Sequence, residues 1–163
     1  MFFFCWLILY TCCKIELWII KKEGVGMIVF VCLDDNNGML FCGRRQSRDR
    51  VITQDILTQC GGRRLWIDEY SRKLFEDMEG NIITDKDFLR KAEQGEFCFV
   101  ENQKLEWVKG KIEKLVIYRW NRNYPENFSL DLDLTQWNLE NSVDMIGNSH
   151  EKITKETYRY QVS

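Results

Sequence analysis

The sequence predicts a single α/β domain, built on a mixed and mostly parallel sheet with helices on both faces. Three observations carry this. Met27–Leu33 (MIVFVCL) contains no polar residue, as expected of a strand covered on both sides. Strand-like runs and helix-like stretches alternate over the first two thirds of the chain, the pattern of parallel strands joined by crossovers. The last third holds strand-like segments without interleaved helices, so that end of the sheet is expected to be antiparallel. A length of 163 residues suits one domain with a sizeable core.

Each element has its local reason. After the first strand, Asp34 to Gly38 (DDNNG) supplies turn chemistry, with Asn37-Gly38 tolerating positive φ. From Ser47 to Cys60, Ile52, Ile56, Leu57 and Cys60 recur at helical spacing; Ser47 or Asp49 can cap the start and Gly61-Gly62 ends it. Arg64 to Ile67 reads as a short strand and Glu69 to Glu76 as a helix with Tyr70, Leu74 and Phe75 on one side. Asn81 to Thr84 is a strand, and Thr84 with Asp87 forms a capping-box pattern ahead of a helix from Phe88 to Gln94. Glu96 to Val100 follows as a strand, Asn102 to Lys109 as a helix and Glu113 to Trp120 as a long strand. Phe128, Leu130 and Leu132 alternate with polar residues, the mark of a strand with one wet face. Trp137 to Val143 gives another strand, and Ile153 to Val162 fits either a helix or a terminal strand.

Composition narrows the class. With 29% charged and 45% hydrophobic residues the chain is neither disordered nor fibrous. A net charge of −2 creates no field that would gather nucleic acid. Cys32, Cys42, Cys60 and Cys98 are scattered without a C-x-x-C pair, and Cys32 and Cys98 sit inside apolar runs where cysteine acts as a small hydrophobe. A reducing, cytoplasmic setting is expected. No Cys/His/Asp grouping has the spacing of metal ligands, so no metal site is expected.

Residues 1–26 form a hydrophobic extension (MFFFCWLILYTCCKIELWII, then KKEGVG) ahead of a domain spanning residues 27–163. Three readings stand: translation starting at Met27, a membrane anchor, or a signal peptide. No positive charge precedes the apolar run, and Lys14 and Glu16 interrupt it. If inserted, Lys21 and Lys22 would keep the domain on the cytoplasmic side.

Three groups of residues could carry chemistry. Arg44, Arg45, Arg48 and Arg50 surround the start of a predicted helix, where free N–H groups favour anions and guanidinium forks match phosphate or carboxylate. Arg63 and Arg64 join them if their strand lies beside the first. The single histidine lies in Ser149-His150-Glu151-Lys152. A serine–histidine pair needs side chains that face each other, which adjacent residues rarely achieve, and Ser149-x-x-Lys152 fits a serine–lysine spacing that arises often by chance. A polar turn is the plainer reading. Trp120, Asn121, Arg122, Asn123 and Tyr124 mix aromatics with a base and amides, which suits either base stacking or a strand end whose Trp120 enters the core.

The order of elements, with IVFVCLDDNNGML near the start and ENFSLDLDLTQWNLENS near the end, resembles dihydrofolate reductase; Asn37, Gly38 and Trp137 match that family's residues. The resemblance implies a dihydrofolate reductase-like fold. It also marks departures. Arg45-Gln46-Ser47 stands where the family has Leu-Pro-Trp, and Asp49 lies about two residues before the position of the carboxylate that binds the pteridine. Val100-Glu101-Asn102 replaces the paired glycines that admit the cofactor pyrophosphate, and Phe128 lies nearest the place of the threonine that partners the substrate carboxylate. The runs DDNNGMLF, GRRQSRDR, YRWNRNYP and SHEKITKE are also similar to a group of short bacterial proteins named ribonuclease Z. That enzyme needs a His-x-His-x-Asp-His cluster, and this chain has one histidine.

The arginine cluster and the cysteine usage, set in the cleft of the fold that the first resemblance implies, lead to the expectation of a cytoplasmic protein binding a small anionic, nucleotide-like or pterin-like molecule between Arg44/Arg45 and the Asp34–Gly38 loop. Its ligand-binding set is Asp34, Asn37, Gly38, Arg44, Arg45 and Arg48, with the cofactor unassigned. The alternatives are a divergent NADPH-dependent reductase in which Asp49 assists proton delivery, an RNA-processing nuclease, and a protein-contacting domain with a vestigial cleft.

Overall fold

The structure, a computed structural model, describes residues 26–161. The readings placed on the N-terminal segment fall on residues outside that range, apart from Gly26. Among the described residues no helix is long and apolar enough to cross a membrane.

Among the described residues, ten strands form two sheets. The main sheet runs β5(Ile82–Thr84), β4(Leu65–Ile67), β6(Phe97–Phe99), β1(Met27–Leu33), β7(Ile112–Arg119), β10(Ile153–Tyr160), β9(Trp137–Met145) in spatial order. From β5 to β7 every pairing is parallel; β10 runs antiparallel to β7 and β9. A small antiparallel sheet, β3(Arg44–Arg45), β2(Gly38–Phe41) and β8(Phe128–Ser129), folds back beside it.

The core follows from the two-residue period of the strands. Met27, Val29, Val31 and Leu33 of β1 point into one hydrophobic cluster with Leu115 and Ile117 of β7. Phe30 points the other way and packs with Val116, Tyr118 and Trp120 against Ile52, Ile56 and Cys60 of helix α1(Arg50–Cys60). A further helix, α2(Phe88–Lys91), places Phe88 and Leu89 in the first cluster, so among the described residues each face of the sheet receives one helix. Cys60 and Cys98 are buried, and burial pushes the Cys60 thiol up to about 12, which leaves it an inert packing group.

Several elements differ from the sequence expectation. The helices expected at 69–76 and 102–109 are 3-10 turns, Arg72–Leu74 and Glu106–Lys111. Both segments are shorter than a self-sustaining helix, and they bury too little to be held as one by packing: no residue of Arg72–Leu74 is buried, and only Val108 of Glu106–Lys111. Carboxylates of Asp68 and Asp131 cap these turns, accepting from the N–H groups of Ser71, Leu105 and Glu106. Thr84 does not cap α2: the N-cap is Asp87, which makes no side-chain cap bond, and the Asp85 carboxylate accepts from the Asp87 N–H at 2.8 Å just ahead of the helix. The strand expected through Leu132 stops at Ser129, with the Leu130 N–H donating to the Asn37 carbonyl at the end of that ladder. The C-terminal segment is a strand, with β10 hydrogen-bonded on both sides.

Candidate functional site

The parallel strands β1, β4, β6 and β7 direct their carboxyl ends to one edge, where α/β sheets hold ligands. The residues there fall into an anchored loop, a buried ion pair, and two clefts.

Asp34, the first residue after β1, is fully buried. Its Oδ1 accepts from the N–H groups of Asn36 (2.9 Å) and Gly38 (2.7 Å), and its Oδ2 from Gln46 Nε2 (3.0 Å) and the Tyr124 N–H (3.2 Å). All four donors are the chain's own, so this carboxylate ties the loop together. Asn37 takes the positive φ of the turn (62°) and accepts from Arg119. Gly38 is needed for space instead: a Cβ there would lie 2.6 Å from Gln46 Nε2 and 2.7 Å from Glu126 Cβ. Gly38→Ala is expected to lower stability by about 1–3 kcal/mol, the range for overpacking. Urea unfolding measures it, and an unchanged midpoint would show that the loop yields freely.

Arg45 and Arg44, on adjacent positions of β3, have different fates. Arg45 donates from Nε and Nη2 to both oxygens of Glu101 (3.0 and 3.1 Å), and from Nη2 to the Tyr70 carbonyl (3.0 Å). Its guanidinium lies 4.7 Å from the Tyr70 ring centre, and its backbone N–H donates to Tyr70 Oη at 2.7 Å. Ser71 Oγ completes the carboxylate's shell at 2.8 Å. Burial drives the Glu101 carboxyl above its usual range, and Arg45 and Ser71 only partly offset this. Arg44 is exposed and lines a cleft of about 460 Å³ with Arg45, Glu69, Tyr70 and Lys73.

Beside it, sharing Lys73, lies a cleft of about 390 Å³ between the start of α1 and the 73–78 segment; Arg48, Arg50, Thr53 and Ser149 contribute to it. Asp49, the weak catalytic candidate, is the N-cap of α1. Its Oδ1 accepts from Val51 N–H (3.0 Å), and its Oδ2 from the N–H and hydroxyl of Ser149 (2.8 and 3.0 Å). Burial would raise its pKa, but hydrogen bonds from the Ser149, Asn148 and Val51 N–H groups and the Ser149 hydroxyl outweigh this and hold it at about 2. A carboxyl so strongly ionised is a poor proton donor near neutrality.

Arg63 and Arg64 precede β4, at the opposite end of the parallel strands, where Arg63 covers the Phe97 ring and Arg64 pairs with Glu96. They do not join the arginine cluster, because β4 lies beside β6 and β5 and not beside β1. Trp120 is a core residue stacked on His150, with ring centres 4.7 Å apart. Sequence reading missed Tyr70 and Lys73 as cleft residues and Glu101 as the partner of Arg45. The 56 residues separating that pair leave no local signal.

The solved structures contain a near match in backbone. Dihydrofolate reductase from Enterococcus faecalis, complexed with NADP(H) and RAB-propyl, superposes with a TM-score of 0.59 at 8% identity, covering 84% of this chain and 97% of that one. The fold is dihydrofolate reductase-like. No protein-family profile matches the chain, and no curated protein is detectably similar in sequence.

In the segment after β6, Val100 is buried, and the Glu101 carboxylate follows it, enclosed by Arg45 and Ser71.

Proposed function

We propose that this protein binds a small anionic molecule, nucleotide-like or pterin-like, in the cleft of Arg44, Arg45, Tyr70 and Lys73. One observation carries the reading: this roughly 460 Å³ hollow at the carboxyl edge combines three cationic side chains with one carboxylate, Glu69, and an aromatic ring. That volume is within the range of small-ligand sites. Arg44 and Lys73 supply the anion contacts, since Arg45 is held by Glu101 and acts as a fixed wall. Arg48 belongs to the neighbouring cleft, and Asp34, Asn37 and Gly38 support β3 from behind.

The test is calorimetric titration of the protein with nucleoside monophosphates, folate and NADPH. Arg44→Ala with Lys73→Ala is expected to weaken whichever ligand binds by at least about tenfold, the effect of losing one charge-assisted hydrogen bond. Unchanged affinity would rule out this cleft. Arg45 is left in place because its loss destabilises the fold. A preference for NADPH would instead favour the reductase reading. The nuclease reading rests only on the resemblance to the short ribonuclease Z-named group, and the cytoplasmic setting on cysteine usage.

A further inference from the structure

The single histidine is buried, and it holds a hydrogen-bond chain independent of the anion cleft just proposed. Its Nδ1 lies 2.9 Å from Ser149 Oγ and 3.6 Å from Asp49 Oδ2. Ser149 Oγ in turn lies 3.0 Å from Asp49 Oδ2 and 2.9 Å from the Arg48 carbonyl, both of which only accept. The Ser149 hydroxyl proton is therefore directed to one of these two, and its oxygen accepts from His150 Nδ1–H. This fixes the tautomer and leaves the Nε2 lone pair facing two hydroxyls, Tyr124 Oη at 3.0 Å and Ser47 Oγ at 3.3 Å. Stacking on Trp120 holds the ring plane.

We propose that Ser47, His150 and Asp49 form a hydrolytic site for small esters, with Ser149 relaying the carboxylate's orienting pull to the imidazole. The base contacts its candidate nucleophile on one nitrogen and an acid-anchored orienter on the other, the arrangement that nucleophilic serine catalysis requires. Ser47 is half-buried and stands three residues before α1, whose N-cap is Asp49. Asp49 and Ser149 also line the neighbouring cleft, where Arg48, Arg50 and Lys73 face Glu76 and Asp77, which gives a small polar acyl group a place to lie.

In the reaction, Ser47 Oγ bonds to the acyl carbon as its proton moves to His150 Nε2. The ester C–O bond breaks, and the leaving alcohol takes that proton. Water then attacks the acyl carbon and gives a proton to Nε2; the bond to Ser47 breaks and Oγ recovers the proton, releasing the acid.

A fluorophosphonate probe with peptide mass spectrometry tests this on the full chain. The expected result is an adduct on Ser47 that is absent in Ser47→Ala and forms at least 100-fold more slowly in His150→Gln. Lys152→Ala, which removes an exposed lysine paired with Asp144, is expected to label like the parent; loss of labelling there would point to the Ser149-x-x-Lys152 pair and overturn the assignment. No adduct in the folded parent chain, or an adduct on another residue, overturns it without reference to any variant. Equal labelling of folded His150→Gln also overturns it.

Discussion

Arg45→Ala is expected to lower the free energy of unfolding by about 3 kcal/mol at neutral pH, the lower end of the range for breaking a buried ion pair. The lower end applies because Arg45 keeps 20% side-chain exposure, whereas Glu101 keeps 7%. Removing the guanidinium leaves the Glu101 carboxylate in a desolvated place with Ser71 as its side-chain donor. The pH dependence identifies the cause. Glu101 already titrates above the usual carboxylate range, because burial outweighs Arg45. An acid with a raised folded pKa costs stability above that pKa, and the cost disappears as pH falls and the folded state takes up the proton. Without Arg45 the pKa rises further, so the deficit against the parent grows as pH rises towards neutral and shrinks on acidification. Urea titrations at neutral and mildly acidic pH measure this; a deficit that does not change with pH would mean that lost packing, not stranded charge, is responsible. Arg45→Met combined with Glu101→Leu is expected to recover most of the loss, since no charge is then left behind.

Asp49→Ala is expected to cost about 2–3 kcal/mol at pH 7. Two routes give similar figures. Loss of an N-cap costs about 0.5–2 kcal/mol, and here the N–H and hydroxyl of Ser149 lose their acceptor as well. By linkage, a carboxyl moved from 3.8 to about 2 by these same hydrogen bonds corresponds to roughly 2 kcal/mol of stability. Because the folded pKa is depressed, this stabilisation is present above about pH 4 and is lost as pH falls towards 2. Acid titration of the parent should show that loss, and Asp49→Ala should not show this contribution. Parallel acid curves for the two proteins would remove Asp49 as the anchor of α1.

The pattern of what could be read in the chain has physical causes. β1 was legible residue for residue, since an all-apolar run has few alternatives to a strand covered on both faces. The C-terminal limit of α1 was equally legible, because Gly61 takes the left-handed cap conformation (φ 55°) that ends helices. The segments 69–76 and 102–109 were misread as helices because both are too short to sustain one, and tertiary packing does not make up the difference: only Val108 is buried across the two 3-10 turns. At the site, the sequence pointed to the arginine cluster without separating its members. Arg44 and Arg45 are neighbours in sequence, yet one is solvated and the other locked. Likewise, Ser149 and His150 were expected not to face each other, but the turn between β9 and β10 brings them to 2.9 Å.

By itself, then, the chain determined its fold class, its central strand, its first helix and the loop chemistry after β1, all of which depend on neighbours a few residues apart. Only the tertiary structure decided which charges are free, since Arg45 meets Glu101 across 56 residues and Ser47 meets His150 across 103. Local propensity is set by backbone sterics and periodicity. The state of a charge or a hydroxyl is set by whichever distant group the fold places beside it, and by how much water remains between them.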